Sequence, residues 1–146
     1  KFDGDRLKFQ SYGAGWGVVS DNWRTFLAIL DGIAGQGTNL IILAHVEVKK
    51  MNSPDSIDYD RWQPAANKAV WALTSRWCDN ILQLSCLQSI EETDGKAKAR
   101  GTGDRIMYTS PNPARVCKNR HGMDDQYLLG GSPQAAAKVI ADTLNL

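Results

Sequence analysis

No stretch of this chain completes a phosphate loop. Gly13-Ala-Gly15, Gly35-Gln-Gly37 and Gly101-Thr-Gly103 supply glycines, but none runs into the Gly-Lys-Ser/Thr that cradles a phosphate and ligates magnesium. Gly95-Lys96 is followed by alanine. There is no Gly-x-Ser-x-Gly elbow and no His-Glu-x-x-His, which excludes self-contained hydrolases of those designs. Cysteine is scarce: Cys78, Cys86 and Cys117 form no CxxC pair and are odd in number. A disulfide frame is thereby excluded, and a reducing compartment with buried thiols is expected. The two histidines, His45 and His121, lie at scattered positions, so zinc lacks its usual ligand spacing. No apolar run approaches the ~20 residues of a membrane span, and no leader pattern opens the chain, so a soluble, cytoplasmic protein is expected.

Excess charge of one sign is also missing. Seventeen cations against sixteen acids leave a net +1, which gives no global pull toward nucleic acid or membrane. Charge is instead local. From Lys96 to Arg120 seven cations (Lys96, Lys98, Arg100, Arg105, Arg115, Lys118 and Arg120) face one acid, Asp104. Such a run is either a solvated hairpin surface or a site for anions. The stretch Arg115 to Gly122 is its sharpest part, because Lys118 and Arg120 flank Asn119 on one short segment that suits a phosphate group.

A length of 146 residues fits one domain, taken as 1–146, with 1–11 irregular. The chain opens on Lys1 rather than methionine, which suggests a piece of a longer protein. Asp21 is placed as a helix cap, with Trp23, Phe26, Leu27, Leu30, Ile33 and Ala34 following at helical spacing and Gly35-Gln36-Gly37 as the stop. Leu40 to Ala44 is a continuous apolar run, which predicts a parallel strand buried on both faces. Val46 to Gln63 is expected to be a polar loop, and Pro64 to open a second helix with Ala66, Val70, Leu73 and Trp77 inward. Ile81 to Leu87 predicts a strand with Leu82, Leu84 and Cys86 on one face, followed by a loop over Glu91 to Gly103. Arg105 to Thr109 and Ala114 to Lys118 flank Pro111-Asn112-Pro113 and predict an antiparallel hairpin. Ser132-Pro133 opens a last helix with Ala136, Val139, Ile140 and Leu144 inward. The order implies an α/β fold with parallel strands and an antiparallel C-terminal hairpin.

His45 directly follows the expected strand, where ligands bind in open α/β sheets. It is either a phosphate contact or a strand-end histidine bonded to a carbonyl. Lys49, Lys50, Arg61 and Trp62, with Tyr59, combine cations and rings as a single-stranded nucleic-acid surface would. Asp55, Asp58 and Asp60 oppose that surface, and Trp62 reads more readily as a lid on the second helix than as a stacking platform.

Five segments in order resemble the C-terminal half of the RecA-like P-loop ATPases encoded by many bacteriophages, an AAA-type family. They are Tyr12 to Trp23; Asn39 to His45 with Val48-Lys49; Asp58 to Gln63 before Lys68 to Asp79; Lys98 to Arg105 with Tyr108; and Lys118 to Gly122. The resemblance implies a partial RecA-like three-layer core whose Walker A and Walker B segments lie upstream of Lys1. It implies His45 as γ-phosphate sensor and Lys118 and Arg120 as finger cations reaching a neighbour's ATP. Arg100, Arg105 and Asn119 become nucleotide-binding candidates. ATP and Mg²⁺ would then belong to the complete protein, with neither held tightly by this chain alone. The implied partners are further copies, joined through nucleotide-bridged interfaces, and single-stranded DNA. The implied setting is phage recombination or replication in the host cytoplasm. The alternative is an ATP-independent nucleic-acid- or partner-binding module, or an inactive fragment.

Overall fold

The computed structural model describes residues 14–54, 57–93 and 96–146. The chain divides into two compact units, Lys1–Glu47 with Pro64–Cys78, and Val48–Gln63 with Asp79–Leu146. The expected irregular segment 1–11 lies outside the described residues.

Helix α1 spans Ala14–Ala34. Asp21 is therefore interior to it rather than its cap, and its carboxylate is engaged by Arg24 one turn on, at 2.6 Å. The Ser20 hydroxyl donates to the Trp16 carbonyl, so the neighbouring polar side chain is also satisfied within the helix. The stop is where the glycines put it: Gly37 adopts φ 85°, a left-handed conformation that side chains resist.

The segment expected to be a buried parallel strand is not one. Residues 40–44 form no strand, and Ile41, Ile42 and Leu43 are exposed, Leu43 at 91 %. A doubly buried strand needs hydrogen-bonded neighbours and helices on both faces; among the described residues nothing pairs with this run. Pairing begins one residue after His45. Strand β1 (Val46–Met51) pairs with β2 (Tyr59–Pro64) across what the aspartates suggested was a loop. The His45 carbonyl accepts from the Ala65 amide at 2.8 Å. At the other end Lys50 meets Asp58 at 3.4 Å, so the strands run antiparallel. Val46 and Val48 in β1 and Tyr59 and Trp62 in β2 are strand-favouring residues, and they outweigh the acids here.

Pro64 thus closes a strand instead of opening a helix. Helix α2 (Lys68–Trp77) is capped by Asn67, whose side chain accepts from the Ala69 amide at 2.9 Å. α2 packs on α1, and two indole hydrogen bonds tie the pair: Trp23 to Thr74 at 2.8 Å and Trp77 to Asp31 at 2.6 Å.

In the second unit β3 (Gln83–Thr93), β4 (Lys96–Tyr108) and β5 (Gln126–Gly130) form an antiparallel sheet in that order. Three expectations are corrected. Within the expected loop Glu91 to Gly103, residues 91–93 and 96–101 are paired strand, in register from Gln88↔Gly101 to Thr93↔Lys96, while 94–95 lie outside the described residues. Leu84 and Cys86 point outward, Leu84 at 52 % exposure, while Gln83 is buried. Ile81 is bonded to Lys118 on both backbone groups, which sets the register, and a shift of one residue exchanges the faces. The hairpin expected from Arg105 to Lys118 has the right turn but the wrong partners. Asn112 and Arg115 close the turn with backbone bonds of 3.3 and 3.1 Å. At Arg105–Tyr108 both edges of β4 are taken, by β3 and β5, so residues 114–118 pair elsewhere, with Trp62 in parallel and Ile81 in antiparallel bridges. Among the described residues that Trp62 bridge is the one parallel pairing.

Gly130, at φ 71°, turns the chain out of β5 toward α3 (Pro133–Leu144), whose Ser132 cap accepts from the Ala135 amide. α3 packs on β5 and half-buries Ala136, Val139, Ile140 and Leu144, as their spacing predicted. Ile106, Met107, Thr109, Cys117 and Leu129 are the buried centre of this unit. The class is mixed α/β with small antiparallel sheets. Among the described residues no helix is long and apolar enough to cross a membrane.

Candidate functional site

The segment from Lys118 to Arg120 is mounted through backbone and side-chain hydrogen bonds. Lys118 exchanges two backbone hydrogen bonds with Ile81, 2.8 and 2.9 Å long. Asn119 then clasps the turn that follows. Its side-chain oxygen accepts from the amides of His121 and Met123, and its amide donates to the Met123 carbonyl at 2.7 Å. That is a structural task, and it commits the acceptor side of Asn119 to its own loop. The loop in turn presents Arg120 at the surface. Its guanidinium reaches Asp79 at 3.0 Å, with both side chains more than half exposed. A surface pair of this kind contributes about 0–1 kcal/mol, too little to hold the cation against a phosphate.

Asp79 and Asn80 were not singled out from the sequence, because nothing about their spacing signals a ligand. The fold brings them under the segment. The Asn80 side-chain oxygen accepts from the Arg120 amide at 3.3 Å, and its amide lies 2.8 Å from His121 Nδ1. Asn80 and His121 line a shallow cleft of about 80 Å³ with Thr143, Leu144 and Asn145.

The other cations are distributed along the same unit. Arg105 donates to the Gly131 carbonyl at 3.3 Å, and Arg100 is exposed on β4 opposite Ser89. Lys49 is exposed, and Lys50 is engaged by Asp58. Arg61 donates to the Tyr59 hydroxyl at 2.6 Å and to the Pro113 carbonyl at 3.3 Å. Trp62 is held by its backbone to Ala114 and Val116, with its side chain 44 % exposed. Arg61 is thus engaged within the protein, whereas the exposed Lys50–Asp58 pair is as weak a tether as that of Arg120. His45 belongs to the first unit, exposed and immediately before β1.

Arg115, another cation of the 96–120 run, is engaged by an aromatic ring. The Arg115 guanidinium lies 3.5 Å from the centre of the Tyr108 ring, a close cation–π contact. Gln83 Oε1 and Arg115 Nε are buried and, among the described residues, have no hydrogen-bond partner. Cys117 lies in this neighbourhood, and its sulfur lies 3.5 Å from the Tyr108 carbonyl. Burial pushes its thiol up from the ordinary 9.0, opposed by a hydrogen bond from the Gln83 backbone and by the Arg115 charge. Because the folded value exceeds the unfolded one, the unfolded chain ionises first. Stability from this group is full below the ordinary value and is lost as pH rises through the folded one. Cys117→Ala is therefore expected to flatten the decline in stability on the alkaline side, as read by urea unfolding at about pH 8 and about pH 10. An equally steep decline in the variant would exclude Cys117 as its source. Of the expected buried thiols only Cys117 is buried; Cys86 is exposed and Cys78 intermediate.

A family model described as an AAA domain matches residues 3–121. No curated protein and no solved structure gives a significant match.

Proposed function

This chain belongs to the AAA domain family, a nucleotide-binding class of ATPase type, and we propose that it is the C-terminal part of a RecA-like ATPase core acting in phage DNA recombination or replication. In this proposal the Walker segments that grip phosphate lie outside residues 1–146, and the chain contributes sensor and finger residues as one domain. Family membership across most of the chain carries the reading. The mounting of Arg120 supports it: a backbone-anchored lysine, a self-clasped asparagine, then an exposed guanidinium on a weak ionic tether.

In the proposed reaction, terminal phosphoryl transfer from ATP to water breaks the bond between the γ-phosphorus and the bridging oxygen, releasing ADP and inorganic phosphate. Lys118 and Arg120 of one copy neutralise charge on the phosphoryl oxygens of the neighbour's nucleotide. His45 donates a hydrogen bond to a γ-phosphate oxygen and passes that state toward the Lys49–Trp62 hairpin, where single-stranded DNA would lie. Arg100 and Arg105 are the supporting phosphate contacts. Among the described residues no three His, Cys, Asp or Glu side chains gather as a metal site.

His45 supplies the direct test. In the complete protein, His45→Ala is expected to leave ATP binding intact and to abolish the change in single-stranded DNA affinity that ATP induces. A variant that still couples the two ligands as the parent does removes the sensor assignment.

A further inference from the structure

Past β5 the three-stranded sheet thins to a ribbon. β5 pairs only with Arg105–Tyr108, whereas β3 and β4 remain paired out to Thr93↔Lys96. Among the described residues no strand pairs with the outer edge of either strand along this stretch. Ile90, on the ribbon, is 76 % exposed. A two-stranded ribbon is marginal alone in water, and open edges are templates for another strand.

The two edges differ in charge. From Gln88 to Thr93 the sequence has Glu91 and Glu92 and no cation; from Lys96 to Gly101 it has Lys96, Lys98 and Arg100 and no acid. Glu92, Lys98 and Arg100 are exposed. Over 88–101 as a whole, these three cations are balanced by Glu91, Glu92 and Asp94, so a polyanion meets no net attraction. Two ribbons meeting through the same edge would oppose like charges, which disfavours that pairing. Unlike edges attract.

We propose that the paired strands 88–93 and 96–101 are a self-association element, in which the basic β4 edge of one copy adds as a strand to the acidic β3 edge of a second copy. Main-chain hydrogen bonds would supply the affinity and charge would select the edge. Because the joined surfaces differ, the contact is heterologous and propagates into a ring or a filament. The inference goes beyond the ATPase reading, since it requires no nucleotide.

The test is sedimentation of the full chain without nucleotide, across protein and salt concentration. The parent is expected to exceed the mass of one chain at low salt. It should fall to a single chain at about 1 M salt, where the screening length is about 3 Å. K98E/R100E, with two acidic edges, and E91K/E92K, with two basic edges, should each stay monomeric at low salt. Their equal mixture should assemble, because every edge again meets its opposite. Circular dichroism checks that each variant is folded, and if one is not, the salt titration of the parent decides. A parent that is monomeric under all conditions overturns the proposal, as does a mixture of folded variants that fails to assemble. Retention of a single-stranded oligonucleotide on the ribbon without self-association overturns it as well.

Discussion

Arg120→Ala in the complete protein should lower ATP turnover by roughly 10³–10⁵, the range for loss of a finger cation supplied in trans, and should leave ATP affinity close to the parent's. The separation of the two effects follows from where the charge acts. A guanidinium that meets the transferred phosphoryl group as charge builds on it stabilises the transition state more than the bound nucleotide. On the proposed reading, ground-state binding falls to the Walker segments rather than to Arg120. The structure argues against a trivial explanation by unfolding. Arg120 is exposed and its ionic partner, Asp79, is exposed too, so losing the pair costs about 0–1 kcal/mol. Melting temperature should therefore move little. Asp79→Asn is the matching control: it releases Arg120 without removing it and should keep turnover near the parental rate. Arg120→Lys should recover only part of the rate, because an ammonium cannot reproduce the planar two-point contact with phosphate oxygens. Equal turnover in Arg120→Ala and parent would remove the finger assignment, whatever the other variants do.

Signals confined to a few neighbouring residues were the legible part of this chain. The Ser132-Pro133 start, the Gly35–Gly37 stop and the inward stripe of α3 depend on groups within a turn or two of one another, and the structure has all three. What failed depends on partners distant in sequence. Leu40 to Ala44 has the composition of a buried strand, yet burial is decided by neighbours that no local pattern specifies, and the run is exposed. Gln83 and Leu84 exchange faces because Lys118 fixes the register from far along the chain. β5 passed unnoticed because Tyr127-Leu128-Leu129 is too short a run to stand out, although it takes the edge of β4 that the expected hairpin required. The candidate site divides in the same way. Lys118, Asn119 and Arg120 could be picked out by charge and order, but the clasp formed by Asn119 and the support from Asp79 and Asn80 emerge only in three dimensions.

That missed strand carries the largest stability effect expected here. Leu129, in β5, has no exposed surface, and Met107, in the adjacent β4, has none either. Leu129→Ala removes several buried carbon atoms and leaves a space that a sheet pinned by β4 on one side and α3 on the other can close only in part. Such truncations cost about 2–5 kcal/mol. A value near the upper end is expected, because few residues of this unit are fully buried and each carries a large share of its cohesion. Leu84→Ala is the informative comparison. The sequence pattern placed Leu84 inward, whereas it is 52 % exposed on β3, and exposed substitutions of this kind usually stay within about 0.5 kcal/mol. Urea unfolding of the two variants therefore discriminates between two registers of one strand. A large loss at position 129 with a small one at 84 requires Gln83 to face inward and β5 to cover β4. Comparable losses at both positions would mean that Leu84 faces the core, and the pairing of Ile81 with Lys118 that mounts residues 118–120 would then have to be redrawn.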